Sequence, residues 1–238
     1  MVKTKYVNNA LVTYDDRYTE RWLDAVGVDV VKWELERTGI PRDDTLLVPT
    51  TFLNSETNVG TVLNIGVQGG GLANTSDTAE YDGHSLQLPH GAFQLTAGNP
   101  LYFGAKVKTD HASKGDHLFG LVEVDTTPLN AASSHAVAVT DDGLYWYHLN
   151  DETVMKFNNE LAGAIGSTAF SATHDVNYHV YEMYYDGATL SVYFDNALTV
   201  EIGTGLADQV LTPTFDTRAG DDGAEIMTIQ WARAIQIL

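Results

Sequence analysis

Apolar and polar residues alternate with period two through most of the chain, the pattern of half-buried strands and not of helices. The pattern is clearest over 178–202. Tyr181, Met183 and Tyr185 share one face, Leu190, Val192 and Phe194 share another, and Asp186-Gly187-Ala188 supplies the turn between them. A second turn at Asp195-Asn196 leads into Leu198–Ile202, so this stretch predicts a three-stranded antiparallel meander. The same alternation predicts strands at Val31–Leu35, Thr61–Val67, Ser85–Leu88, Ala92–Leu95, Leu101–Val107 and Leu118–Val124. Ala136–Val139 and Leu144–Leu149, joined by Asp141-Asp142-Gly143, read as a hairpin. In the last segment Met227, Ile229 and Trp231 alternate, and Ile235 and Ile237 continue the parity past Arg233, which marks a bulge or the end of burial near that arginine.

Two stretches depart from this pattern. Residues 1–16 lack strong periodicity and read as an extended arm. Asp16–Val26 predicts a short helix, with Thr19 as N-cap, Trp22 and Val26 one turn apart, and Gly27 as the stop. Thr38-Gly39-Ile40-Pro41 breaks the strand before it, and 42–50 read as a linker. The expected organisation is a docking or oligomerisation segment over 1–42 and one sandwich domain over 43–238. Many short strands with turn signals between them predict an all-β antiparallel β-sandwich of jelly-roll type.

Size and charge narrow the function classes. The 238 residues, 44% of them hydrophobic, suffice for one large core. There is no cysteine, which excludes disulfides and thiolate chemistry. The formal net charge is −19. Residues 1–42 balance seven basic against seven acidic side chains, so the excess lies beyond them, and no Lys or Arg stands between Lys156 and Arg218. Such a surface repels phosphate backbones, so no nucleic-acid partner is expected. Nor is a membrane partner: no apolar run approaches the roughly 20 residues of a membrane helix. The first residues lack the apolar region of a secretory signal, so the expectation is a protein made in a cytoplasm.

Candidate chemistry is sparse. Glu182 sits within a strand but has no acid two residues to either side, and Glu123 with Asp125 runs straight into a turn, so no strand carries the carboxylate pair of a glycosidase. Asp110-His111, Asp116-His117 and His135 could converge on a metal. Asp141-Asp142-Gly143, Asp195-Asn196 and Asp221-Asp222-Gly223 place carboxylates where calcium ligands are drawn from, although hairpin turns ask for the same residues. Gly69-Gly70-Gly71 lacks the Lys that a phosphate loop requires. Tyr145-Trp146-Tyr147 reads as a buried Trp between two surface tyrosines, with a sugar platform as the rival. No catalytic residue, cofactor or resident metal is assigned on these grounds, and no enzyme activity is expected. Asn74-Thr75-Ser76 matches a glycosylation sequon by chance.

The series Pro100–Lys108, Phe119–Val124, Asp142–Tyr145, Tyr184–Tyr193, Leu211–Pro213 and Ile229–Arg233 resembles the concanavalin A-like (laminin G-like) sandwich. With the opening Asp16–Trp22, it looks more narrowly like virion structural proteins of tailed bacteriophages. That resemblance implies a non-enzymatic particle component found on the virion. A capsid decoration or cement protein comes first, binding the major capsid protein or other virion proteins, with a fibre or spike behind it. Tyr6, Tyr14, Arg17, Tyr18 and Trp22 would then be partner-binding residues, unless they cap their own sandwich, and a homo-oligomer, a trimer by lattice geometry, is expected. The alternative is a carbohydrate-binding, lectin-like module taking a host-surface glycan. A glycoside hydrolase stands last.

Overall fold

A computed structural model describes residues 1–35, 53–57, 61–64, 71–125, 127–129, 135–139, 141–221 and 223–238. The break at 38–41, the linker at 42–50, the end of an expected strand at 65–67, two of the three glycines at 69–71, and Asp222 lie outside the described residues.

The described chain is all strand, in antiparallel sheets. β1 (Val2–Val7), β2 (Ala10–Asp15) and β3 (Tyr18–Val26) form a small three-stranded sheet. β4 (Val30–Leu35), β5 (Leu53–Thr57), β6 (Thr61–Asn64), β7 (Leu72–Thr75), β8 (Gly83–Gln87), β9 (Leu101–Thr109) and β10 (Asp116–Val122) follow. Next come β11 (Gly143–His148), β12 (Val154–Leu161), β13 (Ala164–Thr173), β14 (His179–Tyr185), β15 (Leu190–Phe194) and β16 (Ala197–Ile202). β17 (Thr212–Arg218) and β18 (Ile226–Ile237) close the chain. One large sheet has seven strands in the order β13-β12-β11-β10-β17-β8-β5. The other has eight, in the order β16-β15-β14-β9-β18-β7-β6, with β4 also paired to β18.

The two large sheets bury one another's apolar faces. Phe103 and Phe119 stack on Trp146 with ring centroids 6.2 and 5.8 Å apart, and Phe157 and Tyr181 meet it edge-on. Leu101, Met183, Leu190, Val192 and Phe215 complete this core with no exposed surface. The meander expected over 178–202 is β14, β15 and β16. Its second turn places Asp195 and Asn196 at φ +46° and +71°, the left-handed pair that a two-residue hairpin needs.

The helix expected over Asp16–Val26 is not formed. That stretch is β3, which pairs with β2 through two register shifts. The one-turn spacing of Trp22 and Val26 is a false helical signal. Trp22 is fully buried and Val26 is 63% exposed, so they do not share a buried face. The arm over 1–16 is likewise a hairpin, turning at Asn8-Asn9, both in the left-handed region at φ +44° and +67°.

The small sheet lies on the outer face of the eight-stranded sheet and closes a second core. There Ala10, Val12, Trp22 and Ala25 pack with Tyr102, Ile235 and Ile237, and Trp22 meets Tyr184 at 5.4 Å. β18 reaches both cores through a bulge. The register shift falls between Ile229 and Trp231, two residues before the arginine expected to mark it. Met227, Ile229, Ala232 and Ala234 therefore enter the main core, while Ile235 and Ile237 point into the second.

Two further expectations are corrected. Ala136–Val139 forms no strand paired with Leu144–Leu149; β11 pairs with β10 and β12, and Val137 makes only an isolated bridge to Leu129. Tyr145 and Tyr147 do face away from Trp146, but they are covered. Leu129, Val137 and Val139 lie over them with Leu118 and Val122. β12 and β13 are not among the expected strands, although Met155 and Phe157 do alternate into the core.

Candidate functional site

The small sheet does not cover the eight-stranded sheet completely. At its β3 edge a shallow, open cleft remains, lined by Tyr18, Glu20, Arg21, Tyr102, Glu182, Tyr184, Tyr193 and Asn196. Strand alternation places the floor. β14 and β15 send Tyr181, Met183, Leu190 and Val192 into the main core, so Glu182, Tyr184 and Tyr193 face outward. β9 adds Tyr102 by the same parity. Gly104, opposite Glu182 in register, makes room: a Cβ there would overlap the Tyr102 hydroxyl. β3 supplies Tyr18 and Arg21 from above, and the β15–β16 turn supplies Asn196.

A polar network occupies the centre. The Arg21 guanidinium donates through Nε and Nη2 to both Glu182 oxygens and through Nη2 to Asn196 Oδ1. Tyr102 Oη donates to Glu182 Oε1 at 2.8 Å. The pair is well shielded, with 16% and 5% of the two side chains exposed. Burial lowers the Arg21 pKa and the bonds to Glu182 raise it, leaving it above its ordinary value. Burial, then the Glu182 charge, pushes the Tyr102 hydroxyl well up, so it stays a donor. Arg21 also sits 5.1 Å from the Tyr18 ring, a cation–π distance. Among the described residues no hydrogen bond occupies the Nη1 amine of Arg21 or the Nδ2 amine of Asn196.

The five residues singled out as partner-binding separate in the structure. Trp22 is entirely buried within its own chain. Tyr14 is half-buried on the second core. Tyr18 lines the cleft. Arg17 is exposed and pairs with Asp15, whose carboxyl it holds well below the usual range. Tyr6 is 77% exposed. Glu182 is the one acid singled out that lies in the cleft. Arg21, the residue that defines its state, carries no local sequence signal, since 161 positions separate the two.

The proposed metal ligands also separate. Asp116 and His135 meet, His135 Nδ1 lying 2.9 Å from a buried Asp116 oxygen. His135 Nε2 faces Glu80 at 3.7 Å and Asp221 at 3.5 Å. His117 points elsewhere, into a buried group with His148 and His174, whose ring centroids are 4.2 Å apart. Burial holds all three histidines below their ordinary pKa, His174 at about 3. His111 bonds Glu225 at 3.0 Å, and burial pushes that carboxyl up to about 7.

Two of the turn carboxylates, Asp142 and Asp195, have structural partners. Asp142 accepts backbone N–H bonds from Ala162, Asp208 and Gln209. Asp195 accepts from Val180 N and meets His179. The sequon residue Asn74 is buried and donates to the carbonyls of His84 and Phe215.

No family model matches the chain, and no curated protein matches it in sequence. Solved structures do match in shape. The carbohydrate recognition domain of Emp47p has a TM-score of 0.61 at 15% identity, covering 87% of this chain and 96% of that one. An endo-1,3-beta-glucanase from Streptomyces sioyaensis has a TM-score of 0.62 at 10% identity, covering 90% and 99%. The potassium-bound carbohydrate recognition domain of Emp46p has a TM-score of 0.53 at 12% identity, covering 81% and 94%. At these identities the likeness concerns the fold alone. The chain is an all-β antiparallel sandwich with a concanavalin A-like fold.

Proposed function

We propose that this protein is a carbohydrate-binding module whose binding site is the cleft at the edge of the small sheet. The observation that carries this reading is the cleft's composition. Tyrosines surround a guanidinium and an amide with unused donors. Aromatic rings stack on the apolar face of a sugar, and fixed donors and acceptors read its hydroxyls. The cleft is shallow and open to solvent, so it suits the exposed face of a terminal sugar unit and not an enclosed ligand. Binding suits the site better than turnover, because both Glu182 oxygens are committed to Arg21, and one of them also to Tyr102. A general acid needs a free proton site and a partner carboxylate.

The test is a glycan array with the full chain, beside Tyr18→Ala and Tyr193→Ala. Saturable binding to glycans sharing a terminal sugar, weakened at least about tenfold by either change, is expected. No binding, or binding that both variants retain, overturns the reading.

A second reading, a structural component of a virion surface, rests on the resemblance to phage virion proteins and on one observation. The small sheet exposes Val2, Tyr6, Leu11 and Val26, and the turn after it exposes Val28 at 99%. Its edge strands β1 and β3 have no further strand partner among the described residues, and such edges invite pairing with another chain. Removing residues 1–42 would be a poor test, since it strips the second core. Tyr6→Ser with Val28→Asp is cleaner. The expected result is a native mass of a closed oligomer that falls to a monomer in the variant. A monomer throughout removes this reading.

A further inference from the structure

Three loops far from the cleft meet around His135. Glu80 precedes β8, His135 lies between β10 and β11, and Asp221 sits in the turn between β17 and β18. One nitrogen and two carboxylate oxygens from these residues lie within 4.8 Å of one another.

The two ring nitrogens of His135 stand in different settings. Nδ1 lies 3.0 and 2.9 Å from the two oxygens of Asp116, a residue with no exposed surface. Asp116 is held in turn by the Asn150 amide at 2.9 Å. The ring itself is steadied by Tyr81, 4.9 Å away. A buried carboxylate on Nδ1 favours the tautomer that carries its proton there, which leaves the Nε2 lone pair on the other side of the ring. Nε2 is itself buried and has no hydrogen-bond partner. It faces the Glu80 and Asp221 oxygens at 3.7 and 3.5 Å.

A lone pair and two carboxylates aimed at one point repel unless a positive charge lies between them. Both separations are too long for hydrogen bonds. The Asp221 separation matches the distance between two ligands of one tetrahedral ion, and the Glu80 separation lies about 0.1 Å beyond it. With metal–ligand bonds of about 2.0–2.2 Å, neighbouring ligand atoms stand roughly 3.3–3.6 Å apart. The buried Asp116 behind the imidazole is the carboxylate–histidine arrangement that fixes the tautomer and orients metal-bound histidines. Glu80 and Asp221 are 45% and 52% exposed, so the site opens to water on their side, where a fourth ligand has access.

We propose that His135 Nε2, Glu80 and Asp221 bind a first-row divalent cation of the zinc type, with Asp116 as the positioning residue behind His135. An imidazole ligand disfavours calcium and magnesium, which take oxygen donors. The ion would tie the segment carrying His135 to the turns before β8 and before β18. The site is separate from the cleft and does not depend on its function.

The test is calorimetric titration of the chelator-treated full chain with zinc(II), with cobalt(II) absorption reporting the ligand geometry. One saturable site is expected, showing the intense visible bands of tetrahedral cobalt. His135→Gln should abolish it, while Glu80→Gln with Asp221→Asn should weaken it at least about 100-fold. Asp116→Asn should weaken it about 10–100-fold in protein whose melting without metal confirms that it folds. His111→Gln, at the other His–carboxylate group, should leave binding unchanged. No saturable binding, binding that survives His135→Gln, or binding abolished by His111→Gln overturns the proposal.

Discussion

The two large sheets cover their outer faces by different means. The eight-stranded sheet is covered by β1–β3, a sheet with its own hydrogen-bond ladder and its own buried tryptophan. The seven-stranded sheet is crossed by the segment after β10, which includes Leu129 and Val137 and forms no strand there among the described residues. It is held by scattered bonds, among them Asp125 N to Gln87 Oε1 at 2.9 Å and Leu129 N to Asp216 Oδ2 at 3.3 Å. The polar groups under the two covers differ accordingly. Under the first, Glu182 accepts from a guanidinium and from a hydroxyl. Under the second, Asp216 is buried with one long backbone bond, and burial pushes its carboxyl up to about 7 despite Arg218. A cover built as a sheet can carry a cation to a chosen acid. An irregular cover satisfies buried groups piecemeal.

The sharpest way to break this contrast is to remove one member of the buried pair. Arg21→Met should destabilise the protein by about 3–5 kcal/mol, because it strands a shielded carboxylate. Arg21→Met with Glu182→Leu should recover much of that loss in urea unfolding. A double variant no better than the single one would show that the pair is not coupled. Trp22→Ala should cost about 3–5 kcal/mol. Its signature is local, with faster amide exchange in β1–β3 while β9 and β14 stay protected; uniform acceleration would merge the two cores into one unit.

The second cover is probed by pH. A carboxyl whose folded pKa lies above its unfolded value binds more protons when folded between the two values. The contribution of Asp216 is therefore full below about pH 4 and is lost as pH rises through about 7. Asp216→Asn should remove that decline, and an unchanged slope would show that Asp216 is ionised in the fold. The buried histidines act with the opposite sign. Held below their ordinary value, they withdraw stability as pH falls below about 6.5. The smallest effect on stability belongs to Tyr193→Ala, half-buried at the cleft, which should shift unfolding by about 1 kcal/mol or less while weakening glycan binding at least about tenfold.

Period-two alternation determined much of this protein before any contact was known. It placed β4, β9, β10, β11, the meander and β18, because strand parity is a local property that burial on one face writes into consecutive residues. It failed where two readings share a spacing. Tyr18–Val26 shows apolar residues four apart, which fits a helix turn or a bulged strand equally, and only pairing with β2 decided between them. It failed again where both faces of a strand are buried. Tyr145 and Tyr147 are written like surface residues, yet a distant segment covers them. The functional geometry was the least legible part. Glu182 stood out alone, but its partner Arg21 comes from the far end of the chain, and His135 acquires Glu80 and Asp221 only when three loops converge. Side-chain constellations of that kind are set by which sheets face each other and which loops meet at their ends. No stretch of sequence holds that information locally, so only the tertiary structure could supply it.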